Sequence, residues 1–156
     1  MESKKVSDSR TSMTQLVLPN DANTYGNVLG GTVMHWIDLT GAIAAFRHSR
    51  KPVVTVSVDT VRFHHPVKVG ELMLLEAYVT RAFRTSMEVR VEVRSEDPLT
   101  GNQIRTCSAF LTFVAIDTDG RPTEVPELVP ETDEEKLQYE RALERREYRL
   151  RLSGQG

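Results

Sequence analysis

The sequence predicts an α+β domain in which an antiparallel sheet wraps around one long helix. Two observations carry the prediction. Residues 30–48 are apolar on nearly all sides, with Asp38 the only formally charged residue between Asp21 and Arg47, the pattern of a central helix enclosed by other elements. Four segments of strand character then follow one another through short turns, without the strand and helix alternation of a parallel sheet.

The 156 residues suit a single domain with tails. Residues 1–12 are polar, with Lys4, Lys5 and Arg10 among serines, and are expected to form a flexible leader, not a cleavable signal. A domain over 13–130 opens with a short strand candidate, Gln15–Leu18. Pro19–Gly31 is polar and glycine-rich, lacks a period, and reads as a functional loop leading into the helix. Val53–Asp59 is rich in β-branched residues and continues toward Phe63, and Leu72–Arg81 follows the Val69-Gly70 turn. In Met87–Ser95, Val89, Val91 and Val93 point one way while Glu88, Arg90, Glu92 and Arg94 point the other, so one face of this strand is expected in water. A turn at Pro98–Asn102 leads to the last strand, Gln103–Ile116, closed by Asp117–Gly120. The extension 131–156 begins with the capping box Thr132-Asp-Glu-Glu135 and should be helical over about residues 133–152, with acidic residues early and arginines later, as the helix dipole favours. Its imperfect apolar stripe of Leu137, Leu143, Tyr148, Leu150 and Leu152 is expected to dock on its own sheet or, by preference, on a neighbouring subunit.

A net charge of −2 provides no global attraction to nucleic acid or anionic membrane, and neither is expected as a partner. The lone cysteine, Cys107, rules out an intrachain disulfide framework, and no apolar run reaches membrane length; a reducing cytoplasm is the expected setting. Cys107 lies mid-strand and reads as a small buried hydrophobe, not a nucleophile. No lysine follows the glycines of Gly26-Asn-Val-Leu-Gly30-Gly31-Thr32, which argues against a phosphate loop, and no Gly-x-Ser-x-Gly elbow occurs. His64 and His65, adjacent on a strand, would face opposite sides and have no partners at zinc spacing, so no metal is expected.

What remains is Asn23 and Asn27 in the loop, the Gly30-Gly31 helix start, and Asp38. A lone carboxylate in an apolar helix is costly unless it is paired or has a role. Free N–H groups at a helix start can hold an oxygen that gains negative charge, an Asn amide can donate to the same oxygen, and a carboxylate can activate water or attack directly. The set suits acyl-transfer hydrolysis. Helical rise, however, separates Asp38 from Gly30 by about 12 Å along the axis, so one chain alone does not obviously assemble the site.

Asn20-Asp-Ala-Asn23, Gly26-Asn-Val-Leu-Gly-Gly31, Trp36-Ile-Asp38 with Gly41, Thr55-Val-Ser-Val-Asp59, Phe63-His-His-Pro66 with Val69-Gly70, Arg84-Thr-Ser-Met-Glu-Val89 and Ala109-Phe-Leu-Thr-Phe-Val-Ala115 together resemble the hotdog-fold acyl-CoA thioesterases of the cytosolic acyl-CoA hydrolase type, over about residues 13–117. The resemblance implies a five- or six-stranded sheet around the helix, a homodimer, and often a trimer of dimers. It implies catalytic roles for Asn23, Asp38 and the Gly31 N–H, with Asn23 of one subunit facing Asp38 of the other, so that the two sites are shared and equivalent. It implies that Arg84, Thr85 and Ser86 border coenzyme A, with Gly30, Ser57, Asp59 and Arg62 as further substrate contacts. No cofactor is implied, because coenzyme A belongs to substrate and product. Many relatives carry His before the paired glycines; Leu29 stands there in this chain. The rival readings are a non-catalytic acyl-CoA sensor, for which no output module such as a helix-turn-helix is visible, a structural oligomer module, which leaves Asp38 unexplained, and a hotdog dehydratase, whose usual loop His has no match.

Overall fold

The computed structural model describes residues 1–155. In chain order they form β1 (Lys4–Lys5), a 3-10 turn (Val6–Asp8), β2 (Thr11–Leu16), a second 3-10 turn (Pro19–Asp21), α1 (Gly30–Ser49), β3 (Val53–Phe63), β4 (Leu72–Ala82), β5 (Ser86–Glu96), β6 (Gln103–Ala115), β7 (Leu128–Val129) and α2 (Asp133–Gln155). Five strands make one antiparallel sheet in the order β2-β4-β5-β6-β3. The sheet wraps α1 as expected, the hotdog arrangement. β3, although first after the helix, pairs only with β6 within this sheet and so forms one edge.

The core lies between α1 and the concave face of the sheet. Val33, Ile37 and Ala44 of the helix meet Val89, Val91, Leu111 and Phe113. Gly41 permits the closest approach, because a Cβ there would stand 3.3 Å from the Phe113 ring and 3.4 Å from Val91. The helix ends at Arg50, which adopts φ 54° and donates its N–H to the Phe46 carbonyl.

The enclosure of α1 is one-sided, which corrects the expectation of a helix covered all round. His35, Leu39 and Phe46 remain exposed in the single chain. They border an edge strand that is also open, where Val54, Val56 and Val58 are exposed, Val56 at 54%. No periodicity in α1 could have separated the covered from the open side, since both are apolar.

Residues 4–11 are docked, not a loose leader. β1 pairs in parallel with β7, Val6 is buried, and Ser9 accepts the Val79 N–H at 2.9 Å while donating to the Val6 carbonyl at 2.8 Å. The correction is tertiary in origin: the polar segment is held by contacts from distant parts of the chain, β4 and β7 together with Arg47 of α1 and Glu135 of α2.

α2 is capped as expected. Thr132 Oγ1 accepts the Glu135 N–H at 3.1 Å, and Glu135 Oε1 accepts the Thr132 N–H at 3.3 Å. The helix lies on its own sheet, but not through the expected stripe: Leu137, Leu143, Tyr148, Leu150 and Leu152 stay exposed in this chain, and Ala142 is buried instead. Docking is largely cationic. Arg81 lies 4.0 Å over the Tyr139 ring, Arg145 lies 3.7 Å over Phe110, and Arg145 forks onto Glu88 at 2.7 and 2.9 Å. The outward face of β5 is therefore only partly in water, with Glu88 1% exposed. Arg90 and Glu92, on the same face, are part-buried. Desolvation works against the charge on each, but nearby partners outweigh it: Tyr78, Glu92 and Glu134 raise the Arg90 pKa, and Arg105, Arg94 and Arg90 lower that of Glu92.

Candidate active site

The loop before α1 is organised by Asn23. Its side-chain Oδ1 accepts the N–H groups of Tyr25 at 2.9 Å and Asn27 at 3.2 Å, while its backbone N–H donates to the Asn27 carbonyl at 2.8 Å. Gly26, at φ 80°, makes the turn. With Oδ1 occupied, the Asn23 amide nitrogen is the end left to donate outward. The Leu29 N–H is taken by the Asp21 carbonyl at 2.9 Å, and the Leu29 carbonyl accepts the Thr32 and Val33 N–H groups, which starts the helix. Leu29 has no capping side chain, so the Gly30 and Gly31 amides are without intramolecular partners among the described residues. No acidic side chain in the first turn competes for the positive end of the helix dipole.

Beside this helix start lies a cleft of about 380 Å³. Asn23, Gly30, His64 and His65 line it with Met73 and Cys107. The two histidines thus share one cleft, contrary to the expectation of opposite faces, because β3 ends at Phe63 and the chain leaves strand geometry there. Burial pushes the Cys107 thiol up to about 11, consistent with an inert core residue. Among the described residues no group of three or more His, Cys, Asp or Glu could hold a metal ion.

Asp38 sits elsewhere, on the open side of α1. It is part-buried, and Thr55 at the start of β3 donates its hydroxyl to Asp38 Oδ1 at 2.6 Å. The cleft wall, among the described residues, includes neither Asp38 nor Gly31. One chain therefore presents two half-sites: amide donors beside a cleft, and a carboxylate on an open apolar face. Thr55 was not singled out from the sequence, because a β-branched residue at a strand start carries no signal of a carboxylate partner 17 positions away.

The other sequence-derived candidates scatter. Arg84 is exposed, with Glu124 Oε1 at 3.9 Å, and Thr85 and Ser86 are part-buried at the β4–β5 turn, where the Thr85 carbonyl accepts the Ala115 N–H at 3.0 Å. Ser57 donates to Asp59 Oδ2 at 3.5 Å, and the same carboxylate oxygen is engaged by Arg149 of α2 at 3.1 Å. Arg62 is exposed beside an irregularity in β3 where Thr60 adopts φ 52°.

Residues 25–102 match the thioesterase superfamily. The chain is 40% identical over 144 residues to a Bacillus subtilis protein described as an uncharacterized acyl-CoA thioester hydrolase, YkhA, covering 92% of this chain and 84% of that one. It is 38% identical to the rat cytosolic acyl coenzyme A thioester hydrolase over 89% of its own length, but spans only 37% of that longer protein. Among solved structures, an apo-hexameric acyl-CoA thioesterase superposes with a TM-score of 0.95 at 44% identity, covering 98% of both chains. A Staphylococcus aureus acyl-CoA hydrolase in complex with butyryl coenzyme A, coenzyme A and coenzyme A disulfide superposes at 0.89 with 39% identity, covering 97% of this chain and 94% of that one. Alanine variants of that enzyme at one asparagine, one aspartate and one threonine have also been solved, at the same intervals in sequence that separate Asn23, Asp38 and Thr55 here. Fold and sequence agree, and the chain belongs to the thioesterase superfamily as a thioester hydrolase.

Proposed function

We propose that the protein hydrolyses acyl-CoA to a free acid and coenzyme A in sites shared between two subunits. The observation that carries the reading is the division of the half-sites within one chain. Asn23 and Gly30 line the cleft, with Gly31 next to it on α1, whereas the Asp38–Thr55 pair lies on an apolar face of α1 and β3 that a second copy would cover. Two-fold pairing through that face would set Asn23 of one subunit against Asp38 of the other. The hexameric relative supports an oligomer, and a trimer of such dimers is the assembly proposed.

In this mechanism the thioester carbonyl oxygen accepts from the Gly31 N–H and the Asn23 amide, at the positive end of α1. Asp38, oriented by Thr55, either takes a proton from water as it adds to the carbonyl carbon or attacks directly to give an anhydride that water opens. On either route the C–S bond breaks and the departing sulfur leaves as coenzyme A. Arg84, Thr85 and Ser86 are assigned to the coenzyme A end, where the exposed guanidinium suits a phosphate. Gly30 contributes at the cleft, and Ser57, Asp59 and Arg62, which lie away from that cleft within one chain, are assigned as further substrate contacts in the paired assembly. The reaction needs no cofactor, and a cytoplasmic setting is supported by the rat relative's description as cytosolic. No helix among the described residues is long and apolar enough to cross a membrane.

The test is thiol release from an acyl-CoA panel by wild type, Asn23→Ala, Asp38→Ala, and an equimolar mixture of the two variants after subunit exchange. Each variant alone should be nearly inactive. The mixture should regain about a quarter of wild-type activity, since random two-fold pairing makes half of the dimers mixed and each mixed dimer holds one intact site. A mixture no more active than its parts would refute shared sites. Wild type that binds acyl-CoA without releasing thiol would replace the enzyme reading with a sensor.

A further inference from the structure

We propose that Met73 and Cys107 set the length of the acyl chain this enzyme accepts, matching it to chains of up to about a dozen carbons, a specificity that rests on the thioesterase reading above. The cleft beside the helix start has a gradient of both exposure and polarity. Asn23, Gly30, His64 and His65 at its rim are exposed. Deeper in, Val33 is 4% exposed, Val67 2%, Cys107 1% and Met73 0%. The side chains that end the cleft are apolar apart from Thr106, whose hydroxyl is spent on the Val93 carbonyl, whereas the mouth mixes its polar groups with exposed Phe63 and Pro66. A ligand with a polar head and a hydrocarbon tail fits this gradient in one direction only, with its carbonyl beside Asn23 and the α1 amides and its tail against Met73 and Cys107.

The volume of the cleft in the single chain sets the scale of the tail. At roughly 30 Å³ per non-hydrogen group, the share of one water in the liquid, a cleft of about 380 Å³ takes about a dozen such groups. The two residues at the closed end come from different strands. Met73 on β4 stands opposite Gln15 and Ser95, and Cys107 on β6 stands opposite Phe63 and Val93. Their size differs in a useful way: Met73 is long, unbranched and able to adapt its shape, whereas Cys107 is small and leaves room that a bulkier side chain would fill. Met73→Ala removes about three non-hydrogen atoms from the closed end and makes space for two or three more chain carbons. Cys107→Met removes space of similar size.

The experiment measures kcat/KM for saturated acyl-CoAs from four to eighteen carbons. For wild type the value should climb about fourfold per added methylene while the tail is still entering the cleft, level off near ten to twelve carbons, and then fall. Met73→Ala should move the peak to longer chains and raise the ratio of tetradecanoyl-CoA to decanoyl-CoA about tenfold or more. Cys107→Met should move it to shorter chains. Each ratio compares two substrates on one sample, so partial loss of folded protein cancels, and Met73→Leu, close in volume, should keep the wild-type profile. If Met73→Ala is too unstable to assay, the wild-type peak and the Cys107→Met shift decide the matter. An active wild type whose peak is moved by neither substitution would overturn the chain-length assignment and leave the thioesterase reading standing. Wild type without thiol release from any chain length would instead overturn the reading beneath it.

Discussion

Arg145→Ala should destabilise the fold far more than the loss of a surface arginine would. The Glu88 carboxylate is 1% exposed and is satisfied by three donors: Arg145 Nε at 2.9 Å, Arg145 Nη2 at 2.7 Å and Thr80 Oγ1 at 2.6 Å. Truncating Arg145 removes two of the three and strands a buried charge. Breaking a buried pair in this way typically costs about 3–5 kcal/mol, because the remaining ion has lost its water without keeping its partner. The Arg145 side chain is 22% exposed, so water can reach the vacated site and screen part of the loss, which lowers the expectation to about 2–3 kcal/mol. For a domain of this size that corresponds to a fall in Tm of about 5–10 °C. Urea unfolding at one fixed protein concentration, needed because assembly contributes to apparent stability, would measure it. The double variant Glu88→Gln, Arg145→Ala should recover more than half of the loss, since no charge is then left unpaired. A loss below about 0.5 kcal/mol in Arg145→Ala, or a double variant no better than the single, would refute the reasoning and reduce the pair to an ordinary surface contact.

Three further outcomes are expected. Thr55→Val keeps the β-branched shape but removes the hydroxyl that holds Asp38, and should lower kcat about tenfold to a hundredfold with little change in KM; equal kcat would take Thr55 out of the mechanism. Cys107, buried and with its thiol pKa pushed to about 11, should stay unreactive toward a disulfide reagent at pH 8 until the protein unfolds, and one thiol titrating in the native state would show that the cleft floor opens. His48 is held neutral by burial, against the hydrogen bond between its Nε2 and the Pro126 carbonyl at 2.7 Å, so its pKa lies below 6.5 in the fold. The unfolded chain then binds the extra proton, and stability should be lost as pH falls below about 6.5, with no contribution above it. His48→Gln should flatten that slope in urea midpoints measured between pH 7.5 and 5.5, and an unchanged slope would assign it to other groups.

The signals that were legible in the sequence act over a few residues. The start of α1 after Leu29, the alternation of Val89, Val91 and Val93, and the reciprocal bonds of Thr132 and Glu135 follow from strand and helix periods and from capping, and the structure has each of them close to where it was expected. Asn23, the paired glycines and Asp38 were also visible, because a polar glycine-rich loop and a lone carboxylate depart from the pattern around them. The alternation of Glu88 and Arg90 could not show that α2 would cover that face, since a strand face reads the same under water and under an arginine-rich helix. Arg149 on Asp59 lies equally beyond local reading, being 90 positions away.

The sequence by itself thus determined the two helices, the five strands of the main sheet, their order, and the residues that packing alone does not explain. Tertiary structure decided which faces stay open and which groups meet. Placing β3 at the sheet edge leaves one side of α1 uncovered, seats Thr55 on Asp38, and keeps that pair apart from the Asn23 cleft. The physical reason is range: propensity, capping and periodicity are set by neighbours within about four positions, whereas edge, cover and ion pair depend on strand order and on contacts between segments tens of residues apart.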